Sequence, residues 1–230
     1  MFYKNLFYFD IETIGQYENI FSFQENDAVG YRLFKEKYEG SEWMINKSKS
    51  LEQAYFDFAP LYSSFGKIVC ISFGYFHEKT LQGQTISSIY GKDEFEIMKQ
   101  FQTLIDKVSK KHMLLSGYFV KAFDIPWVIH KLNKYNMELP KLLDIYGKKP
   151  WEIPVFDLAE EWKQQFKNYM SLNEVAYELG VLCLDDEIDG KQCHDVYWKE
   201  DNLAKIKRHC ECDITNSMRI AERMLKYKIV

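Results

Sequence analysis

Residues 5–15 read NLFYFDIETIG, an apolar and aromatic run interrupted by two carboxylates, Asp10 and Glu12. Such a run has the composition of a buried strand, and a strand points successive side chains to opposite faces. Leu6, Tyr8, Asp10 and Glu12 therefore share one face, with Phe7, Phe9 and Ile11 on the other. The two acids stand about 6–7 Å apart along the chain. Like charges so placed need water, hydrogen-bond donors or cations, and Gly15 marks the end of the strand. Any fold built on this strand must either leave its end open to solvent or bring compensating groups to it.

The rest of the chain can enclose such a strand. Its 230 residues are 47% hydrophobic and 17% aromatic, enough for a substantial core in one domain. No stretch of 18 apolar residues occurs, and MFYKNLFYFD runs into the first strand without a basic-then-apolar leader. The expectation is a soluble cytoplasmic protein with no membrane partner. Five cysteines, an odd number, do not form a disulfide framework and suit a reducing compartment. A net charge of −4 argues against a protein that coats nucleic acid by bulk electrostatics, but not against one that grips a few phosphates through metal ions.

The periodicity predicts an α/β fold, a mixed sheet flanked by helices. Strands are expected over 66–76 and 84–90, and shorter ones over 112–117 and 153–158. Helices are expected over about 27–39, 50–58, 93–110, 124–136 (with Asp124 as N-cap and Pro126 in the first turn) and 201–226. Ser171 and Glu174 have the form of a capping box ahead of another helix that ends near Gly180. Residues 16–64 read as an insertion into a single domain spanning 1–230.

Acids recur at two further places, Asp124 within GYFVKAFDIPWV (117–128) and Asp213 within RHCECDI (208–214). Four carboxylates from three segments are what a pair of Mg²⁺ or Mn²⁺ ions requires, because hard cations take oxygen ligands and need their charge neutralised. In this order and at these spacings, YFDIET, GYFVKAFDIPWV and RHCECDI resemble the three motifs of the four-acid (DEDD) superfamily of 3′–5′ exonucleases, whose fold is ribonuclease H-like. Within it the chain is most similar to predicted exonucleases related to the proofreading domains of family B DNA polymerases. Further similarity runs through GKIVCIS (66–72), KPWEIP (149–154) and DEIDG (186–190).

The resemblance implies a hydrolase with two metal ions per site that removes nucleoside monophosphates from the 3′ end of single-stranded DNA. Asp10 would bridge both ions, Glu12 and Asp213 would hold the ion that carries the attacking water, and Asp124 would serve the second ion near the leaving 3′ oxygen. Thr13 and Phe123 would contact the terminal nucleotide. RNA 3′ ends are an alternative substrate of the same chemistry, since discrimination rests on a few contacts to the 2′-hydroxyl.

Two residues depart from the family pattern. His209 stands four residues before Asp213, where this branch usually has Tyr, while a sister branch has His five residues before it. Residues four apart share a helix face, so His209 can reach the same site and orient or deprotonate water. Phe119 replaces an Asn common in the second motif and loses its hydrogen bonds. These departures motivate a contrasting reading, a weakly active or inactive nuclease-fold module that binds nucleic acid ends or a protein partner. Retention of all four acids argues against it.

Cys193, His194, His209, Cys210 and Cys212 invite a zinc site, but Cys-x-Cys within a helix does not put both sulfurs on one face. Asp157 reads as a strand-end carboxylate, and Asp185, Asp186 and Asp189 as turn residues.

Overall fold

A computed structural model describes residues 2–77, 83–164 and 167–226. The opening run is β1 (Leu6–Gly15), the central strand of a five-stranded sheet. On one side it pairs antiparallel with β2 (Gly66–Phe76), which pairs antiparallel with β3 (Gln84–Tyr90). On the other it pairs parallel with β4 (Leu114–Gly117), followed by β5 (Val155–Asp157), giving the order β3-β2-β1-β4-β5. The expected mixed sheet is therefore present, and its parallel half holds the two shortest strands.

The alternation along β1 decides which helices cover which face. Phe7, Phe9 and Ile11 pack with Ile97, Met98, Phe101 and Ile105 of α5 (Glu94–Ser109) and with Ile125, Val128 and Leu132 of α6 (Asp124–Lys134). Leu6 and Tyr8 pack on the opposite face with Ile214, Met218 and Ala221 of α10 (Leu203–Leu225). Burying each side chain of this size contributes about 1.5–3 kcal/mol. Gly74 on β2 lets α10 approach closely, since a Cβ there would fall 2.5 Å from Met218 Sδ and 2.8 Å from Ile214 Cγ2. Asp10 and Glu12 continue the Leu6–Tyr8 face, so they too look toward α10.

The segment between β1 and β2 carries α1 (Ile20–Asn26), α2 (Ala28–Glu39), α3 (Glu42–Lys47) and α4 (Leu51–Phe58). They enclose a separate apolar cluster that includes Phe23, Phe34, Met44, Tyr55 and Phe58. Its attachment to the end of β1 is polar: Thr13 Oγ1 donates to the Pro60 carbonyl at 2.6 Å, and the Tyr17 amide donates to Tyr55 Oη at 2.9 Å.

After β5 come α7 (Leu158–Lys163), α8 (Leu172–Glu178) with the expected Ser171–Glu174 capping box, and α9 (Cys193–Trp198). Asp124 does not cap α6. Phe123 occupies that position and Asp124 is the first helical residue, because its carboxylate is engaged elsewhere. Among the described residues, no helix is long and apolar enough to cross a membrane.

Candidate active site

The four acids of the motifs converge where β1 passes under α10 and the start of α6. Asp10 and Glu12 arrive by strand alternation, Asp213 lies on the face of α10 turned toward them, and Asp124 arrives from the turn that follows β4. The Asp124 carboxylate accepts the Ile11 amide at 2.9 Å, which ties the second motif to the first.

Their crowding is visible in their ionisation. Burial, then Asp124, Asp213 and Glu12, raise Asp10 well above the usual carboxylate range, and a hydrogen bond from Cys210 only partly offsets this. Asp124 is pushed up to about 8 by burial against the pull of the Ile11 amide, and Asp213 to about 7 by burial against the pull of His209. Burial also raises Glu12, opposed by His209 and Cys193. Carboxylates crowded together in this way, with Glu12 and Asp124 buried and Asp10 and Asp213 half-buried, form a site whose ionised state calls for cations.

His209 joins them from one turn before Asp213. Its Nε2 lies 3.4 Å from Glu12 Oε1 and 3.9 Å from Asp213 Oδ2, and its Nδ1 lies 2.8 Å from Asp186 Oδ2. Burial disfavours the charged ring, yet Glu12, Asp213 and Asp186 outweigh it and raise its pKa above the ordinary value. Two thiols complete the surroundings: Cys193 Sγ is 3.3 Å from Glu12 Oε2, and Cys210 Sγ is 3.3 Å from Asp10 Oδ2.

Beside Glu12 opens a cleft of about 480 Å³ lined also by Thr13, Phe123 and Gly190 and by Trp43, Lys47 and Phe56 of α3 and α4. Both expected substrate contacts border it. The Thr13 hydroxyl is already donated to Pro60. Phe123 is half-buried and packs at 5.9 Å against Trp127, so it serves the core and the cleft together.

Asp186, Asp157 and the two thiols have roles that their sequence context did not suggest. Asp186 orients His209 instead of only making a turn. Asp157 is buried and accepts the amides of Phe119 (3.1 Å), Lys121 (2.9 Å), Ala159 (2.9 Å) and Glu160 (3.4 Å), so it caps α7 and holds the turn that leads to Asp124. Phe119 sits in that turn at φ 65° with its ring edge-on to Tyr169. The Asn usual at this place tolerates the left-handed conformation better than Phe does, so the departure has a backbone cost as well as a lost hydrogen bond. Lys121, in the same turn, is paired with Glu160 at 2.7 Å.

A mixed sheet flanked by helices, with clustered acids on its central strand, is the architecture of a ribonuclease H-like nuclease. A family model described as RNase_H superfamily matches residues 54–225, and the chain belongs to that superfamily. No curated protein matches the chain. Among solved structures, it is similar in fold to the family B DNA polymerase of the hyperthermophilic archaeon Pyrobaculum calidifontis, with a TM-score of 0.59 and 14% identity. That match covers 96% of this chain and 24% of the polymerase, so the chain spans about a quarter of the polymerase's length. The likeness drawn from the three motifs thus holds at the level of the fold, and the fold is nuclease-like.

Proposed function

We propose that this protein is a metal-dependent 3′–5′ exonuclease that hydrolyses the terminal phosphodiester of single-stranded DNA and releases nucleoside monophosphates. The observation that carries the reading is the crowding of Asp10, Glu12, Asp124 and Asp213 around one another, with Glu12 opening onto a cleft large enough for a nucleotide. Strand preference and direction rest on the likeness of the motifs.

The all-oxygen character of the four acids fits Mg²⁺ or Mn²⁺, and Asp10, Glu12, Asp124 and Asp213 would hold two such ions. When bound, the ions supply charge neutralisation and an acidified water. The chain's own residues do the remaining work. His209, with Nε2 turned toward Glu12 and Asp213, orients the attacking water or takes its proton, and Asp186 at Nδ1 keeps the ring in that orientation. Phe123 stacks under the terminal base, and Thr13 meets the same nucleotide from the end of β1.

The test is degradation of 5′-labelled single-stranded DNA in Mg²⁺, Mn²⁺ or EDTA, with RNA and duplex ends alongside and Asp10→Ala as control. A metal-dependent ladder shortening from the 3′ end, absent in the variant, is the expected result. A faster ladder on RNA would change the substrate but keep the chemistry. No cleavage of any substrate would overturn the reading in favour of a binding module.

A further inference from the structure

Overlapping the four acids is a donor set of a different kind. Glu12 of β1, Cys193 of α9 and His209 of α10 each offer one ligand atom, all within 4.8 Å of one another, and all three residues are buried. The Cys193 Sγ to Glu12 Oε2 separation is 3.3 Å and the His209 Nε2 to Glu12 Oε1 separation is 3.4 Å. Tetrahedral zinc with bonds of about 2.0–2.3 Å to O, N and S spaces its ligands about 3.3–3.6 Å apart. Both contacts to the Glu12 carboxylate, one at each of its oxygens, are of that length, and the three ligand atoms lie within 4.8 Å of one another.

One further observation points to a ligand. His209 is held from behind by Asp186 at Nδ1, 2.8 Å away, the carboxylate–histidine arrangement that fixes a metal-binding ring by its other nitrogen. Gly190 is a neighbour of two of the donors, since a Cβ there would make ordinary contacts of 3.8 Å with His209 Nε2 and 3.9 Å with Glu12 Oε2. Gly190 and Glu12 both line the cleft, so the trio meets it at its Glu12 corner.

We infer that Glu12, Cys193 and His209 form a site for a thiophilic divalent cation of the zinc class, which on binding withdraws Glu12 from the four-acid set and stops hydrolysis. A thiolate and an imidazole select softer ions than the oxygen-only set does, so Mg²⁺ does not occupy this position. Binding releases the Cys193 thiol proton, and that of His209 where the ring is charged, to solvent. No electron is transferred. Cys210 and Cys212 take no part, since the first turns to Asp10 and the second to Cys183.

The inhibitory half rests on the hydrolytic reading, whereas the binding half does not. The first measurement is therefore titration of the full chain with Co²⁺ in the absence of Mg²⁺. A thiolate-to-cobalt charge-transfer band that saturates at one ion per chain, is displaced by Zn²⁺, persists in Cys183→Ser and disappears in Cys193→Ser is expected. Absence of the band in the wild type, or its survival in Cys193→Ser, would overturn the site. Should Cys193→Ser fail to fold, Asp186→Asn carries the same test through the partner of the His209 ring, with an expected loss of about 10–100-fold in cobalt affinity. In the nuclease assay, Zn²⁺ is expected to suppress Mg²⁺-supported hydrolysis at least tenfold, and the ratio of inhibited to uninhibited rate is expected to return toward one in Cys193→Ser. An unchanged ratio would overturn the inhibitory role even with the cobalt band in place.

Discussion

His209 Nδ1 and Asp186 Oδ2 meet at 2.8 Å, joining a helix residue to a loop residue 23 positions earlier in the chain. The bond leaves Nε2 as the ring atom facing Glu12 and Asp213. Replacing Asp186 with Asn keeps a similar shape but removes one of the three carboxylates that raise the basicity of the ring. Asp186→Asn is expected to lower kcat about tenfold with little change in KM, because the ring is oriented through this contact and does not hold substrate. A change confined to KM would show that Asp186 acts on substrate binding instead.

The acid cluster costs stability when no cation is present. The native pKa of Asp124 is about 8, against an ordinary value of 3.8, so the folded state keeps a proton that the unfolded chain releases between those two limits. Its contribution is fully present below the lower limit and is lost as pH rises through the upper one. The metal-free protein should therefore lose stability from pH 5 to pH 8, and added Mn²⁺ should restore it. Asp124→Asn is expected to flatten that pH dependence and to raise metal-free stability at pH 8 by about 2 kcal/mol while abolishing hydrolysis. Urea melts of both proteins at the two pH values are the check.

Asp157 holds four backbone amides at the turn before Asp124. Asp157→Ala leaves buried donors without partners, at a cost of about 2–3 kcal/mol. Since the same turn sets Asp124, activity should fall at temperatures where the variant is still folded. Retained activity with reduced stability would limit Asp157 to a structural role.

Lys131 and Glu94 form a buried ion pair at 3.2 Å that also receives the Ile68 amide and the Tyr135 hydroxyl on Glu94, each at 2.7 Å. The Lys131 ammonium reaches the Gly66 carbonyl at 2.6 Å as well. Lys131→Met leaves Glu94 with the half-exposed Lys134, 3.4 Å away, as its cationic partner and should cost about 3 kcal/mol, whereas the double change with Glu94→Gln should recover part of it. Thermal denaturation of the single and double variants distinguishes a coupled pair from two independent residues.

Much of this molecule is legible from local pattern. Asp10 and Glu12 share a face because a strand has a period of two, and β2, β3, α5 and α10 follow runs long enough for their periodicity to be read. Asp213 and His209 lie on one side of α10 by helix geometry alone. The helices that escape notice, α1, α3, α7 and α9, have six or seven residues, less than two turns, over which an apolar stripe cannot be told from chance. The placement of Asp124 as an N-cap fails for another reason: its carboxylate is taken by the Ile11 amide, 113 residues away in sequence.

The amino-acid sequence by itself determined the strand, the acids, their order and the family to which they belong, because each is a property of a short segment. Tertiary structure decided what surrounds them. Asp186 reaches His209, Cys193 reaches Glu12 and Cys210 reaches Asp10 across separations of 23, 181 and 200 residues. No spacing rule spans such distances. The packing of α9 and α10 on the end of β1 brings these groups within hydrogen-bond reach, and that packing is driven by apolar burial elsewhere on the same helices, not by the polar groups it juxtaposes.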